Sequence, residues 1–182
     1  KLKALRRSSK KANSLSERAA TIAVSLPSET IANLGGTPED ADHIEYQDLK
    51  ATLFRIRAAN SDIRFVYIFG KRNDEIFFYV DSEDPDSPDY SAPGDVYYEA
   101  TPLLESVFEG TNAVVEGPER DRWGTWMSGL APVVHPASQS VIGVVGIDVN
   151  ARHYFSVIVA YALVPALLTL IAIVVALGGH RL

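Results

Sequence analysis

A run of 23 residues without a charged side chain, Phe155 to Leu177, constrains this chain more than any other feature of its sequence. As an α-helix the run would be about 34 Å long, and a typical hydrocarbon core is about 30 Å thick. Tyr154 and Tyr161 lie near its beginning, where amphipathic aromatic side chains favour the membrane interface. Uncharged stretches of this length rarely fit inside a small soluble domain. We therefore predict that the segment 151–182 contains one transmembrane helix.

The charges that flank the predicted span indicate its orientation. His180 and Arg181 follow it, and basic residues beside a span favour the cytoplasmic side. Six basic residues lie near the other end of the chain: Lys1, Lys3, Arg6, Arg7, Lys10 and Lys11. They would lie outside the cytoplasm if a first membrane helix preceded them. We expect the soluble part to lie outside the cell membrane, in the periplasm or the extracellular space, and the chain to be part of a longer protein.

The composition excludes several classes of function. The net charge of −6 argues against nucleic acid as a partner. The chain has no cysteine, which removes disulfides, thiolate nucleophiles and zinc–thiolate sites. Its four histidines lack the spacing of metal ligands, and no nucleophile, zinc-protease or phosphate-loop motif is present. We therefore predict no enzymatic activity in this segment, no cofactor and no metal site.

The first part of the soluble region has helical periodicity. Residues 1–34 are predicted to form a long N-terminal helix that Pro27 breaks or kinks and that Gly35 and Gly36 end. A second helix is predicted over Ile44 to Ala59. One face of the first helix carries a heptad-like apolar stripe: Leu15, Ala19, Ile22 and Leu26. This stripe is more than one side of a sheet requires, so it predicts a homodimer through the helix.

After Asn60 the periodicity changes to that of strands. Five strands are predicted: 63–69, 75–81, 113–116, 126–134 and 141–149. A short helix, Val96 to Phe108, is expected between the second and third strands. Tight turns make neighbouring strands antiparallel, and a sheet that is apolar on both faces must be covered twice. The predicted fold is therefore α+β: a domain 35–150 with a five-stranded antiparallel sheet, covered by the N-terminal helix on one face and by the segment 82–112 on the other.

The loop 82–95 and the residue before it are strongly acidic. The carboxylates are those of Asp81, Glu83, Asp84, Asp86, Asp89 and Asp95. Carboxylates at this density can bind Ca²⁺, but the glycine and the terminal glutamate of an EF-hand loop are missing. We favour a solvated loop as the interpretation of this segment.

Four segments follow one another along the chain in a characteristic order: Ile63–Phe69 (IRFVYIF), Phe77–Asp81 (FFYVD), Asp121–Trp126 (DRWGTW) and Val141–Val149 (VIGVVGIDV). Together they resemble the extracytoplasmic Cache or PAS-like (PDC) sensor domains of bacterial signalling receptors. The last segment is similar to the family's closing G-x-x-G-x-D-[IV] strand, which stands directly before the exit helix. The resemblance covers about residues 1–154. It implies a PAS/Cache-like sheet in a single-module sensor, followed in the cytoplasm by a histidine kinase, a diguanylate cyclase or a chemoreceptor signalling region.

Asp148 is the position for which the resemblance is most specific, because a matching aspartate contacts the ligand amine in amino-acid-sensing relatives. The alternative is that Asp148 caps the helix that follows at Asn150 to Arg152. The family's Tyr/Arg/Trp part is not reproduced at a matching spacing. Arg122 and Trp123 are similar in type only, and Arg122 would suit a ligand carboxylate or form a surface salt bridge with Asp121 or Glu119.

Aromatic side chains beside polar ones are typical of small-ligand pockets, although core packing explains any single ring equally well. The candidate ligand-binding residues are Tyr67, Tyr79, Asp81, Tyr97, Arg122, Trp123, Trp126 and Asp148. The predicted function is a sensory input domain that binds a small carboxylate or amine and signals through the C-terminal membrane helix. A ligand-free structural or dimerisation module is the alternative.

Overall fold

The computed structural model describes residues 2–152 and 154, with side chains from residue 14 onward. Its helices are α1 (Leu2–Ser25), α2 (Ser28–Ala32), α3 (Ile44–Ala58) and α4 (Pro102–Glu109), with a 3₁₀ turn at Pro38–Asp42. The break between α1 and α2 lies at Pro27, as predicted, because proline cannot donate a helical hydrogen bond. The buried carboxylate of Asp40 accepts hydrogen bonds from the backbone N–H groups of Gly35, Gly36 and Thr37, which fixes the chain after α2.

Five antiparallel strands form one sheet. They are β1 (Ile63–Arg72), β2 (Glu75–Asp81), β3 (Val114–Arg120), β4 (Thr125–Val134) and β5 (Val141–Asn150). Their order across the sheet is β2-β1-β5-β4-β3, so the last strand lies in the middle between β1 and β4. The α+β fold and the five-stranded antiparallel sheet are as predicted. The central position of β5 places the residues that directly precede the helical residues Ala151 and Arg152 in the middle of the sheet.

The N-terminal helix covers one face of the sheet. Leu15, Ala19 and Leu26 are buried in the same core cluster as Ile147 of β5. The approach is close, since a side chain on Gly129 of β4 would come within 2.6 Å of a backbone oxygen of α1. The stripe on α1 is therefore mostly used within the chain. Our interpretation that it exceeds the needs of one sheet face was wrong, because sequence periodicity cannot show which partner covers a face.

The segment between β2 and β3 covers the other face, as predicted. The helix in it is shorter than expected, because Val96 pairs with Phe77 of β2 as an isolated bridge. α4 begins at Pro102, where the Thr101 hydroxyl accepts a hydrogen bond from the Leu104 N–H. Residues 82–101 thus form an irregular roof above the sheet, and we call this segment the roof.

The β1–β2 hairpin contains the irregularity that matters most for the site. Its turn is formed by Asn73 and Asp74 in left-handed conformations, with φ of 50° and 65°, which asparagine and aspartate tolerate. Towards the other end the register shifts: Ile68 pairs with Val80, but Phe69 pairs with Phe78. Tyr79 is the extra residue of a β-bulge, and such a bulge changes which side chains share a face.

The predicted transmembrane segment, Phe155 to Leu177, lies outside the described residues. Among the residues that the structure does describe, no helix has the length and apolar character to cross a membrane. The membrane helix therefore stays a prediction from the sequence.

Candidate functional site

A cavity lies between the sheet and the roof, on the face opposite α1. The sheet contributes Phe65, Tyr67, Phe69, Phe78 and Asp148, and the roof with the end of β2 contributes Asp81, Asp89, Ser91 and Tyr97. The turn between β3 and β4 closes one side with Asp121 and Trp123. These residues come from four separate parts of the chain, and the β5-in-the-middle topology brings them together.

Tyr67 and Asp148 form the floor of the cavity. Tyr67 stands opposite Gly146 in the β1–β5 register, and its ring occupies the place where a Cβ on Gly146 would lie, 2.0 Å away. The ring can therefore lie flat across β5, and its hydroxyl donates a hydrogen bond of 3.1 Å to Oδ1 of Asp148. Ser128 of β4 hydrogen-bonds the same carboxylate. The second glycine of the closing strand is thus a site residue that the sequence analysis missed.

Asp148 is 4% exposed, and burial raises the pKa of its carboxyl to about 7. The hydrogen bonds from Ser128 and Tyr67 lower this pKa, while the charges of Asp121 and Glu116 raise it further. Burial also raises the pKa of the Tyr67 hydroxyl well above its usual value.

The interpretation of Asp148 as a cap for the following helix is wrong. The Arg152 N–H donates to the side-chain oxygen of Asn150, at 3.0 Å, so Asn150 is the cap. Asp148 lies on the cavity face of a central strand.

Asp121 organises the turn between β3 and β4. Its Oδ1 accepts hydrogen bonds from the backbone N–H groups of Trp123 and Gly124 and from the indole N–H of Trp126, at 2.8, 2.9 and 3.0 Å. Among the described residues, Oδ2 has no hydrogen-bond partner. Trp123 faces the cavity, whereas Trp126 is buried beside Phe65 with ring centroids 5.1 Å apart. Trp126 therefore supports the wall without lining it.

Asp81 links the sheet to the roof. Its carboxylate accepts hydrogen bonds from the backbone N–H groups of Glu83 and Ser91, each at 3.0 Å. Burial raises its pKa to about 6, against the opposing effects of the Ser91 hydrogen bond and of the charges of Lys50, Arg57 and Arg64.

The acidic loop is only partly solvated, which corrects the sequence interpretation. Glu83 is buried and forms ion pairs with Arg57 of α3 and Arg64 of β1. Arg64 also pairs with Asp89, at 2.6 Å, and Lys50 donates to the Asp81 carbonyl oxygen at 2.7 Å. These contacts attach the roof to α3 and β1. We call the ion pairs of Glu83 with Arg57 and Arg64 the latch. The described residues contain no group of three or more side chains able to hold a metal ion.

Six aromatic rings line the cavity and pack against one another. The Tyr97 ring stacks on Phe69 at a centroid distance of 4.9 Å, and it is nearly parallel to the Trp123 ring, 6.4 Å away. The cavity volume is only about 20 Å³, within an empty space of about 310 Å³ that includes the part open to solvent. The cavity is therefore narrow and partly open, so a ligand larger than a few water molecules requires its wall to move.

Two further candidates from the sequence lie elsewhere. Because of the bulge, Tyr79 packs with the helix-facing core instead of sharing a face with Asp81. Arg122 forms a bidentate ion pair with Glu99, with both contacts at 3.1 Å. Its partner is therefore neither Asp121 nor Glu119, the two residues expected from the sequence. Its guanidinium lies 4.5 Å from the centre of the Trp123 ring, but it does not line the cavity. The structure therefore places five of the eight candidates in the cavity wall: Tyr67, Asp81, Tyr97, Trp123 and Asp148.

The sequence analysis missed several wall residues. Phe65 and Phe69 could have been found from the alternation of β1, which puts them on the face of Tyr67. Asp121 adjoins the predicted Arg122 and Trp123, and its position before a turn was an available signal. No sequence signal identified Asp89 and Ser91, because irregular loop residues reach the cavity only through tertiary contacts.

Comparison with solved structures shows which fold this is. The ligand-binding domain of the Campylobacter jejuni chemoreceptor Tlp3 in complex with L-valine superposes with a TM-score of 0.53 at 12% identity, covering 86% of this chain and 58% of that one. The sensory domain of Tlp3 with isoleucine bound gives 0.55 at 13% identity, covering 86% and 57%. The chain has the fold of a Cache-like sensory domain. The expectation raised by the sequence resemblance is thereby confirmed at the level of fold.

The complex of the Tlp3 ligand-binding domain with L-norvaline gives a TM-score of 0.53 at 14% identity, covering 86% of this chain and 59% of the other. This chain therefore spans less than three fifths of the length of these receptor domains. No protein-family model matches the chain, and a search of curated protein sequences finds no match.

Proposed function

We propose that this chain is the extracytoplasmic ligand-sensing input domain of a membrane signalling receptor. A small molecule binds in the cavity between the sheet and the roof, and the domain itself has no catalytic role. The observation that carries the proposal is the cavity: a narrow, aromatic space with buried carboxylates, in a fold whose solved representatives include amino-acid complexes. Pockets of this composition are the usual sites for small ligands.

The topology supports a route for the signal. Asp148 on the cavity floor belongs to β5, and only two residues separate it from Ala151, where helical structure begins. A ligand that moves the floor therefore acts on the strand that leads into the predicted membrane helix. It shifts the receptor only by its difference in affinity for the two states. A cytoplasmic effector of histidine kinase, diguanylate cyclase or chemoreceptor type would receive the signal.

The alternative is a ligand-free structural or dimerisation module. The small space inside the cavity favours it, since a domain that never binds a ligand has no need for an open pocket. A proposal of dimerisation no longer rests on the α1 stripe. It would need another surface of the molecule.

Ligand-dependent thermal stability tests the proposal. The full chain in a non-ionic detergent is melted with a library of small metabolites, because any ligand that prefers the native state raises its melting temperature. The variants are Trp123→Ala, which changes the cavity wall, and Tyr98→Ala, whose side chain is 80% exposed on the roof. We expect a stabilising compound whose effect persists in Tyr98→Ala and is lost in Trp123→Ala. If no compound stabilises the wild-type chain, the ligand-free module is the better assignment.

A further inference from the structure

We infer that the cavity is built for a small organic cation that carries no carboxylate, such as a methylated ammonium compound. This inference rests on the proposed function and narrows it to one class of ligand. It follows from the charges that face the cavity, the aromatic rings around it, and the ion pairs that the nearby arginines already form.

The charges in the wall are all negative. Among the described residues, four carboxylates line the cavity, those of Asp81, Asp89, Asp121 and Asp148, and no lysine, arginine or histidine side chain does. A buried site with this balance repels anions and gains by taking up a positive charge. The cavity with its aromatic wall, and not the acidic residues by themselves, makes this a site, because Asp81 and Asp148 are buried in it, whereas carboxylates on an open surface would be solvated.

The four carboxylates divide into two pairs. Asp89 is paired with Arg64, and the carboxylate of Asp81 receives two backbone N–H groups and faces the positive charges of α3 and β1. Asp121 and Asp148, at the Trp123 side, have hydrogen bonds but no ion pair among the described residues. The negative charge that lacks a paired cation is thus that of Asp121 and Asp148, which act on each other electrostatically, and a ligand cation would balance it.

Aromatic rings make up much of the cavity wall. Tyr67, Tyr97 and Trp123 line the cavity together with three phenylalanines. Aromatic faces attract cations, most strongly when water is excluded, and cages of such rings are how proteins hold quaternary ammonium groups. Rings combined with a buried carboxylate favour a weakly hydrated organic cation over a strongly hydrated metal ion.

A zwitterionic amino acid fits the same wall poorly. Its carboxylate would need a positive partner, and the two arginines beside the cavity are already engaged. Arg64 pairs with Glu83 and Asp89, and Arg122 pairs through two contacts with Glu99. A carboxylate in the cavity would therefore meet Asp121 or Asp148 without compensation, which costs binding free energy.

The test uses choline and tetramethylammonium as probes, with L-valine, L-isoleucine and acetate for comparison. Binding is measured by titration calorimetry on the full chain at about pH 8, where Asp148 is mostly ionised. The detergent is a maltoside, because its headgroup contains no choline that could compete with the probes. Equal concentrations of KCl provide the control for ionic strength. The variants are Asp148→Asn and the matched Asp86→Asn, since Asp86 is exposed in the same chain and does not line the cavity.

We expect at least one organic cation to bind, with affinity at least about tenfold weaker in Asp148→Asn and unchanged in Asp86→Asn. Binding of valine or isoleucine without binding of the cations at millimolar concentration overturns this inference and leaves the proposed sensory function standing. Cation binding that is equally strong in Asp148→Asn also overturns it. If neither the probes nor any compound of the metabolite library binds, the inference and the proposed function fail together.

Discussion

Asp148 is the residue at which stability and the proposed function oppose one another. Its carboxyl is buried, its hydrogen-bond partners are the hydroxyls of Tyr67 and Ser128, and the charges of Asp121 and Glu116 act on it unfavourably. A core position of this kind would normally be apolar, because burying a charge without a partner is costly. We interpret the carboxylate as a group kept for binding, which the folded domain tolerates at the expense of stability.

The pKa of Asp148 predicts how the stability of the empty domain depends on pH. The value of about 7 in the folded state lies above the ordinary value of about 3.9 in an unfolded chain. Between these values the folded state binds more protons, so the free energy of unfolding falls as pH rises. Between about pH 5 and pH 8, we expect the wild type to lose about 2–3 kcal/mol more than Asp148→Asn.

Urea unfolding followed by tryptophan fluorescence at the two pH values measures this difference. Asp81, whose pKa is also raised, to about 6, contributes a slope of the same sign to both proteins and cancels in the comparison. Equal losses in the wild type and in Asp148→Asn would show that Asp148 is already ionised at pH 5.

The two tryptophans of the β3–β4 region have different roles. Trp126 is 7% exposed, packs on Phe65 and donates its indole N–H to Asp121. Trp123 is only partly buried and faces the cavity. We expect Trp126→Ala to cost about 3–5 kcal/mol of unfolding free energy and Trp123→Ala clearly less. Thermal melting of both variants checks this, and equal shifts would contradict the distinction between support and wall.

At the scale of elements, α1 determines one face of the domain. Its buried residues contact β4 and β5, and Gly129 permits the close approach of helix and sheet. The opposite side of the same helix is exposed, with Val24 at 84%. A helix with one face on its own sheet acts as a structural wall, so a dimer would have to use the exposed side or other surfaces.

This arrangement predicts that two aspartate substitutions on α1 differ sharply. Leu15→Asp places a charge in the core and should lower the melting temperature strongly, because an unpaired buried charge is among the most destabilising changes. Val24→Asp should change the unfolding free energy by no more than about 0.5 kcal/mol. If Leu15→Asp instead leaves a fully stable protein whose mass by light scattering falls by half, the stripe is an intermolecular interface after all.

At the scale of the whole molecule, the roof connects the two sides of the sheet. Glu83 joins it to Arg57 on α3 and to Arg64 on β1, while backbone hydrogen bonds from Gly94 and Tyr97 tie it to the edge strand β2, each at 2.8 Å. Because the cavity is narrow, we expect the roof to move when a ligand enters. The ion pairs of Glu83 are then expected to influence how readily the site becomes accessible.

Glu83→Gln should loosen the roof without unfolding the domain. The substitution keeps the size of the side chain and removes the charge that two arginines share, which is costly because the site is buried. Amide exchange by mass spectrometry should become at least about tenfold faster in residues 82–101 than in the wild type. The sheet core should change much less.

The matched control is Asp62→Asn, which alters the ion pair of Asp62 with Arg18 at the surface. Exposed pairs contribute about 0–1 kcal/mol, so exchange in the roof should stay as in the wild type. An equally small effect of Glu83→Gln would show that backbone hydrogen bonds, and not the latch, hold the roof.

The sequence by itself determined the elements and most of their order. Pro27, the Asn73–Asp74 turn and the strand periodicities mark local boundaries, and local boundaries depend on residues close together in the chain. Alternation along β1 likewise places Phe65, Tyr67 and Phe69 on one face, and this follows from the backbone geometry of the strand itself. Asp148 was indicated by the resemblance of the closing strand to Cache-like sensor domains.

Only the tertiary structure decided which side chains meet. One inserted residue at Tyr79 reversed the face of the following positions, and pairing register is set by contacts between strands rather than within one. Arg122 pairs with Glu99, and Glu83 pairs with Arg57 and Arg64. These residues are too far apart in the sequence for any local pattern to predict the pairs. The cavity exists because β5 is central and the roof is latched over it, and both depend on long-range packing and charge pairing.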